Sequence, residues 1–381
     1  MVGLDIGTTK ICTLIAKVKE KGDFEVVGIG KAPSRGLSKG VVINIKKTSE
    51  VVEKSVRRAE FDAGLKVRRA WVSIAGAHIQ GRDNRGLIKI EKEDRVITPR
   101  DVEMLLKDAS RLILPANREI IHVLPQEFLI DDQDQIKEPV GMRGARLEAK
   151  VHIITASSSH RRNIEESLRQ AGYEPEGVVL QSLASGMATL SPEEQNLGVV
   201  LLDIGGGTTD IAVISLGEIV VSNSLRIGGD KLDEAITRYI RKHYNLAIGE
   251  NTAEYIKQKI GYAISPPESE EMEIKGRDLV AGLPQKIRIS AKEISESLSE
   301  PLSFIVGGVK EVLAKTPPEL SADIIEKGIV LTGGGSLLKN LDLLIARTTG
   351  ICAYLAEGPL FCVAIGAGRA LENIELLERT Y

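Results

Sequence analysis

Short apolar runs alternate along this chain with segments whose apolar residues recur every three or four positions. Residues 199–202 are four consecutive apolar residues, which is typical of a buried strand, and further strands are predicted near residues 2–6 and 328–332. Residues 48–63 place valines near one face of a helix, and residues 232–240 repeat apolar residues at helical spacing. This alternation predicts an α/β fold.

Caps and breakers refine the predicted helices. Thr48 or Ser49 is the predicted cap of the first helix, and Ser290 opens a capping box whose helix is expected to break at Pro301. Residues 265–276, a polar segment with an acidic cluster, are expected to form a solvated loop. The last segment, residues 363–377, is predicted to be a helix rich in small residues.

The strand at residues 199–202 ends in Asp203 and runs on into three glycines at residues 205–207. Because glycine has no Cβ, successive backbone N–H groups can point into one concavity and hold a phosphate. Two threonines that follow add hydroxyl donors, and a carboxylate at the strand end suits hydrated Mg²⁺, which takes few protein ligands. An ordinary glycine-rich turn is the alternative explanation of this triplet taken alone.

The same pattern occurs near the start of the chain. A predicted strand ends in Asp5, Gly7 follows, and Lys10 closes the loop, where it can meet phosphate as a point charge. A third glycine-rich strand end follows residue 332 and leads into a helix predicted over residues 337–348, whose N-terminus suits the ribose or α-phosphate of a nucleotide. Two copies of one loop indicate two similar halves that hold one polyphosphate from both sides.

Composition limits the classes of function. The chain has 381 residues, 43% of them hydrophobic and 27% charged, and a net charge of −3, which argues against nucleic acid and anionic membranes as general partners. Its three cysteines lack metal-binding spacing, and neither a signal peptide nor a long apolar run is visible, so a cytoplasmic location is expected. Neither a Rossmann glycine motif nor a P-loop is present.

Taken in order, the three glycine-rich strand ends resemble a known superfamily. The loops at Asp5 and Asp203 and residues 331–336 are similar to the first-phosphate, second-phosphate and adenosine motifs of actin, sugar kinases and heat-shock chaperones. The resemblance implies the α/β, actin-like (ribonuclease-H-like) ATPase fold, with two duplicated lobes and inserted subdomains.

The resemblance divides between two bacterial actins. Up to about Val213 the chain resembles FtsA, the division actin, notably at residues 122–128, and from about Ser215 it resembles MreB, the cell-shape actin, notably at residues 276–284. We interpret the chain as a composite of an FtsA-type first lobe and an MreB-type second lobe. The expected domains are a first-lobe core at 1–77, 153–197 and about 363–381, an FtsA-type inserted subdomain at 78–152, a second-lobe core at 198–230 and 328–362, and an MreB-like outer subdomain at 231–327.

The same resemblance implies roles for single residues. Gln181 stands where these ATPases place the residue that positions the attacking water, and Asp203, through water, and Asp5 would hold Mg²⁺. Glu254 and Lys257 match the pair that brackets the adenine in MreB. The other residues implied in ATP binding are Gly7, Thr8, Thr9, Lys10, Gly205, Gly206, Gly207, Thr208, Thr209, Gly229, Lys231, Gly333, Gly334, Gly335 and Ser336. Hydrolysis would be slow and coupled to polymerisation, by positioning and charge neutralisation.

The implied main partner is a second copy of the chain, in nucleotide-dependent protofilaments for division, cell shape or organelle positioning. A tubulin-like division protein and membrane-linked morphogenesis proteins are further candidates, which would bring the protein to the inner face of the cell membrane. FtsA ends in a basic amphipathic membrane helix, whereas this sequence ends in an acidic segment, so no intrinsic membrane anchor is expected. The subdomain on which the tubulin-like protein docks in FtsA is MreB-like here.

Two other functions belong to the same superfamily. A sugar-type kinase would need a further carboxylate base in the cleft, and no candidate beyond the phosphate-loop acids is visible. A chaperone-type ATPase would need an appended peptide-binding domain, for which no chain remains. The kinase is kept as the alternative hypothesis.

Overall fold

The computed structural model describes residues 1–18 and 24–369. The strands in these ranges are β1 (Val2–Ile6), β2 (Lys10–Val18), β3 (Phe24–Pro33), β4 (Leu37–Ser38), β5 (Val41–Val42), β6 (Arg69–Ile74), β7 (Gln80–Lys89), β8 (Arg118–Ile130), β9 (Gln133–Ile136), β10 (Arg146–Ser157), β11 (Glu174–Leu180), β12 (Val199–Ile204), β13 (Thr209–Ser215), β14 (Glu218–Leu225), β15 (Leu246–Ala247), β16 (Glu271–Asp278), β17 (Pro284–Ser290), β18 (Ile329–Thr332) and β19 (Ala353–Leu355). The helices are α1 (Ile45–Ala63), α2 (Pro99–Ala109), α3 (Ser158–Gln170), α4 (Gln181–Thr189), α5 (Pro192–Asn196), α6 (Gly229–Tyr244), α7 (Glu250–Ile260), α8 (Ala291–Lys315), α9 (Pro318–Lys327), α10 (Leu341–Thr349) and α11 (Cys362–Arg369).

Two five-stranded sheets share one topology. The first has the order β3-β2-β1-β6-β11 and the second the order β14-β13-β12-β18-β19. In each sheet, the first three strands along the chain form an antiparallel meander. The last two strands run parallel to the first strand of that meander, which is β1 in one sheet and β12 in the other. Parallel neighbours require long crossovers, usually helical, and α1 supplies the one between β1 and β6. The chain therefore contains two lobes of the same design, each with a phosphate-loop candidate between its first two strands.

An antiparallel sheet of order β7-β10-β8-β9 lies between the two halves of the first lobe in sequence. Helix α2 covers it, and this unit has its own apolar core, which includes Leu105, Leu106 and Leu147. On the second lobe, the small sheet β15-β16-β17 and helices α6 to α8 form an outer part. Its core is continuous with that of the second lobe's sheet.

Strand β12 connects the cores of the two lobes. It is buried throughout, and its side chains alternate, so that Leu201 packs in the first-lobe core while Val200 and Leu202 pack in the second-lobe core. Helices α4 and α11 pack closely beside it: a Cβ on Gly366 would lie only 1.6 Å from the Ala184 carbonyl oxygen, so glycine is needed at this contact. The motif strand therefore sits where the two lobes are joined.

Two helix predictions need correction, and one is confirmed. Helix α1 begins at Ile45, because the Asn44 side chain accepts a hydrogen bond from the Lys47 N–H (2.9 Å), so Thr48 and Ser49 are not the cap. The capping box at Ser290 is confirmed, but α8 continues through Pro301 without a break. Apolar residues on both sides of the proline are buried, and this packing holds the two halves in line despite the lost hydrogen bond.

Two further predictions concern the acidic segment before β17 and the last helix. Residues 271–276 belong to strand β16 and are not a loop, since Ile274 is buried and the strand pairs with β17 along its length. The helix predicted over residues 363–377 is present as α11 up to Arg369. The rest of that prediction, residues 370–377, and the end of the predicted first-lobe core lie outside the described residues.

Candidate functional site

The two loops predicted to bind phosphate have the same backbone hydrogen bond. In the first, the Gly7 N–H donates to the Lys10 carbonyl oxygen (3.0 Å); in the second, the Gly205 N–H donates to the Thr208 carbonyl oxygen (2.8 Å). Each loop joins two antiparallel strands, β1 to β2 and β12 to β13. The duplication visible in sequence is therefore also a duplication of local structure.

These loops face each other across the interlobe cleft. A Cβ on Gly206 would lie 1.7 Å from Thr9 Oγ1, and one on Gly207 would lie 2.5 Å from Thr8 Oγ1 and 2.8 Å from Lys39 Cα. Any side chain at these glycines would collide with the first lobe. The two loops therefore approach each other through the bare backbone of Gly206 and Gly207.

Three buried carboxylates lie at the ends of the loop strands. Asp203 and Asp210 are directly opposite each other on β12 and β13, and Asp5 lies at the matching position on β1. Their partners are hydroxyls: Ser73 donates to Asp5 (3.0 Å), Ser185 to Asp203 (2.7 Å) and Thr208 to Asp210 (3.1 Å). Within the described residues, Asp203 Oδ1 is buried and accepts no hydrogen bond.

Burial raises the pKa values of all three carboxyl groups. It raises the pKa of Asp5 to about 6, with Lys10 opposing the rise and Asp203 adding to it. It raises the pKa of Asp210 to about 7, and there too the charge of Asp203 adds to the rise. Burial also raises the pKa of Asp203, while the neighbouring Ser185 and Gln181 side chains lower it. A buried carboxylate, Asp203, whose charge raises the pKa values of two buried neighbours favours a bound cation.

A hydrated Mg²⁺ fits this arrangement. Within the described residues no group of three or more His, Cys, Asp or Glu side chains is placed to coordinate a metal ion directly. Mg²⁺ usually keeps several waters and uses one or two carboxylates, and Asp203 has a buried oxygen without a partner. Lys10, whose Nζ donates to the Leu360 carbonyl oxygen, is close enough to lower the pKa of both Asp5 and Asp203.

The third glycine-rich segment packs directly on Asp203. Strand β18 runs parallel to β12, and Thr332 is paired with Asp203. Gly333 has φ 81°, and a Cβ there would lie 2.5 Å from Asp203 Oδ1, so only glycine fits this approach. Ser336 Oγ donates to the Gly333 carbonyl oxygen (2.6 Å).

The helix predicted over residues 337–348 is wrong in its start. A 3-10 turn spans Gly335–Leu337, Leu338 is extended, and α10 begins only at Leu341, after Asn340 in the left-handed region (φ 60°). The third segment, from Gly333 through Gly334 and Gly335 to Ser336, therefore offers turn N–H groups and no α-helix N-terminus.

The start of α6 supports the second loop. The Gly229 and Asp230 N–H groups donate to the Gly205 and Gly206 carbonyl oxygens (2.9 and 2.8 Å). Asp230 Oδ1 accepts a hydrogen bond from Thr9 Oγ1 across the cleft (3.3 Å). Thr209 Oγ1 donates to the Ile227 carbonyl oxygen (2.7 Å) and fixes the far end of the same loop.

The structure places the predicted adenine pair on α7. Lys257 Nζ contacts Asp233 (2.8 Å) and the Gly229 carbonyl oxygen (3.0 Å), which ties α7 to the base of the second loop. Glu254 accepts a hydrogen bond from Gln258 on its own helix (3.1 Å). Lys231 pairs with Glu234 on α6.

Besides Ser73, the partner of Asp5, sequence reasoning missed three residues of this site. Asp233 binds Lys257, Ser185 holds Asp203, and Asp210, though part of the motif, was given no role. Ser185 lies in a small-residue stretch that suggested close packing alone. The spacing of Asp210 gave a usable signal, because residues paired on adjacent strands have side chains on the same face.

No helix in residues 1–18 or 24–369 has the length and apolar character needed to cross a bilayer.

Comparison with known proteins gives two family matches. A model described as MreB/Mbl protein matches residues 146–379, and one described as the SHS2 domain inserted in FtsA matches residues 76–155. The chain is 37% identical to the cell division protein FtsA of Pseudomonas aeruginosa, over 89% of this chain and 78% of that protein. It is 40% identical to the cell shape-determining protein MreB of Escherichia coli K12, over 75% of this chain and 86% of that protein.

Solved structures share the fold. MreB5 of Spiroplasma citri bound to ADP matches with a TM-score of 0.65 and 23% identity, over 98% of this chain and 96% of that one. The MamK double helical filament matches with a TM-score of 0.60 and 16% identity, over 97% and 98% of the two chains. The predicted actin-like fold is confirmed by these matches.

Proposed function

Because this chain belongs to the bacterial actin-like family of MreB, Mbl and FtsA, we propose that it binds ATP between its lobes and assembles into nucleotide-dependent protofilaments. The role would be in cell division, cell shape or organelle organisation. The observation that carries the proposal is the pair of matching glycine loops that face each other over buried Asp5 and Asp203.

We assign the phosphates to the two loops. The N–H groups of Gly206 and Gly207 and the hydroxyls of Thr8 and Thr9 would hold them, with Lys10 as a fixed positive charge. Gly205, Thr208 and Thr209, whose donors bond within the protein, would shape the loop around the phosphates. Asp203 and Asp5 would hold hydrated Mg²⁺, which when bound would neutralise phosphate charge. Gln181, the first residue of α4 and a neighbour of Asp203, would orient the attacking water. Slow hydrolysis by positioning alone fits this set of groups.

We assign the adenosine to the second lobe, between the Gly333 to Ser336 segment and helix α7. Glu254 and Lys257 would bracket the adenine, and the start of α6 at Gly229 and Lys231 would close the site below. Lys257 is already fixed by Asp233, which supports a preorganised wall.

The relatives support this function over the sugar kinase. One of the two named relatives is a cell division protein and the other is a cell shape-determining protein. Of the two similar structures, one is bound to ADP and the other is a filament. We further propose that membrane-linked morphogenesis proteins or a tubulin-like division protein bring the chain to the inner face of the cell membrane.

Electron microscopy with Mg-ATP tests the proposal. We expect filaments from the wild-type protein and none from Asp203→Ala, because that change removes the proposed magnesium ligand. Asp134→Ala, which removes an exposed carboxylate on the inserted sheet, is the matched control and should still form filaments. Absence of filaments in every condition, with ATP consumed only when a small-molecule acceptor is present, would contradict the proposal and favour the kinase.

A further inference from the structure

Four basic side chains from separate segments meet at one place outside the phosphate loops. His78 precedes β7, Arg118 opens β8, His160 lies in the first turn of α3, and Arg226 follows β14. The rings of His78 and His160 are in edge-to-face contact, with centroids 4.3 Å apart. We call these four residues the His78–His160 cluster. It joins the first lobe, the inserted sheet and the second lobe.

His78 is nine-tenths buried, yet neither of its ring nitrogens has a hydrogen-bond partner within the described residues, and Nδ1 of His160 also lacks one. Buried polar atoms in native proteins are almost always hydrogen-bonded. A neutral imidazole has one N–H group and gains a second when it is protonated, so the unpartnered nitrogens of these two rings can donate hydrogen bonds to a ligand that accepts them.

Besides the histidines themselves, the charged side chains that act on the two rings are arginines, and Glu119, the nearby carboxylate, pairs with Arg161. Arg118 Nη2 donates to the His78 carbonyl oxygen (3.0 Å) and to Thr155 (2.7 Å to Oγ1), which fixes the guanidinium beside the histidine. Burial, then His160, Arg118 and Arg226, lower the pKa of His78 to about 4, and burial and Arg226 lower that of His160. No carboxylate in the described part of the chain forms an ion pair with Arg118 or Arg226.

The backbone adds to the same field. Helix α3 spans Ser158–Gln170 and has no acidic residue in its first turn, where His160 lies. The first N–H groups of a helix have no intrahelical partners and carry a partial positive charge. Anions are stabilised at such a helix start.

We propose that the His78–His160 cluster is a binding site for a tetrahedral oxyanion, phosphate or sulfate in class, that is separate from the nucleotide site. Arg226 is exposed and His160 partly so, so the cluster reaches the protein surface at these two residues. The anion would accept hydrogen bonds from both histidines, and binding would protonate them. A single small anion would thereby bridge three parts of the molecule.

Histidine NMR with inorganic phosphate tests the site in the nucleotide-free protein. The chain has five histidines, so His122, His152 and His243 serve as internal references. We expect phosphate to move the ring signals of His78 and His160 alone. If all five signals move together, or if the two move only when a nucleotide is added, no separate anion site exists.

The pH dependence gives a second test, for which sulfate is the probe because it stays a dianion across the range. Since binding takes up protons on histidines that are neutral when the site is empty, affinity should fall as pH rises. The expected slope is up to about tenfold per pH unit for each proton taken up. Affinity that does not change between pH 5 and pH 8 would overturn the role of the histidines.

Two variants separate the site from a general loss of structure. Arg226→Gln, on an exposed residue, should weaken sulfate binding about tenfold or more, the loss expected for one charge-assisted hydrogen bond. Arg241→Gln, which removes the same charge from an exposed position on α6, is the matched control and should bind as the wild type does. Equal affinity in both variants would overturn the site, and ATP-dependent filaments from Arg226→Gln would show that nucleotide binding is independent of it.

Discussion

Among the single residues of the site, three carboxyl groups are buried, and keeping them ionised lowers the free energy of unfolding. Asp210 is fully enclosed, faces Asp203 and has a pKa raised to about 7 by burial. Between pH 4 and pH 7 the unfolded chain has released this proton while the folded protein still holds it. The folded state binds more protons in that window, so the contribution of Asp210 to stability falls as pH rises.

We therefore expect Asp210→Asn to raise the free energy of unfolding of the nucleotide-free protein at pH 8, by on the order of 2–4 kcal/mol. The gain should nearly vanish at about pH 3, where both the folded and the unfolded carboxyl are largely protonated. Urea unfolding at several pH values measures this difference. Asp134→Asn, on an exposed acid, is the control and should leave the pH profile unchanged; a variant that matches the wild type at pH 8 would contradict the buried-charge explanation.

At the scale of elements, helix α8 contains two adjacent glycines in opposite surroundings. A Cβ on Gly307 would have no heavy atom within 4 Å, whereas one on Gly308 would lie 2.5 Å from Leu225 Cδ1 and 3.1 Å from Ile211 Cδ1. The first faces solvent and the second packs against the motif sheet. Gly308 thus sets how closely α8 approaches β13 and β14.

Gly307→Ala should stabilise the protein by about 0.5–1 kcal/mol, because alanine restricts the unfolded chain and favours the helix. Gly308→Ala should destabilise it by about 1–3 kcal/mol, because the methyl group overpacks the interface. Thermal unfolding of both variants measures the pair, and each serves as the control of the other. Equal effects of the same sign would contradict the packing of α8 described above.

In the whole molecule, the two lobes come into contact at the second glycine loop, where the missing side chain of Gly207 allows the first lobe to approach. Gly207 lies against the Lys39 backbone and Thr8 of the first lobe. Because the Lys39 backbone cannot turn away as a side chain would, a methyl group at this position should force the second loop and the first lobe apart. The cleft geometry therefore depends on this residue.

We expect Gly207→Ala to increase the radius of gyration measured by small-angle X-ray scattering and to weaken Mg-ADP binding measured by calorimetry at least tenfold. Gly249→Ala is the matched control, because a Cβ there would have nothing within 4 Å. A Gly207→Ala protein with wild-type size and nucleotide affinity would show that the loops do not limit closure of the cleft.

The order of residues along the chain is enough to predict the fold class and the duplicated loop pattern. An apolar run that ends in Asp-Ile-Gly occurs twice. It predicts a strand, a carboxylate at the end of that strand and a glycine turn after it, because each of these features depends only on neighbouring residues. The actin-like fold predicted from this pattern is confirmed. Local capping at Ser290 was predicted for the same reason, since a capping box involves residues three apart.

Which distant groups meet depends on how the elements pack in three dimensions. Pro301 continues its helix because buried neighbours from other elements hold it, and residues 271–276 form a strand because β17 pairs with them. The partners of the site acids, Ser73 and Ser185, and the meeting of His78 with His160 and Arg226 join segments far apart in sequence. Such contacts depend on how the lobes pack. The pattern of residues within one segment does not specify which residues of another segment will lie against it.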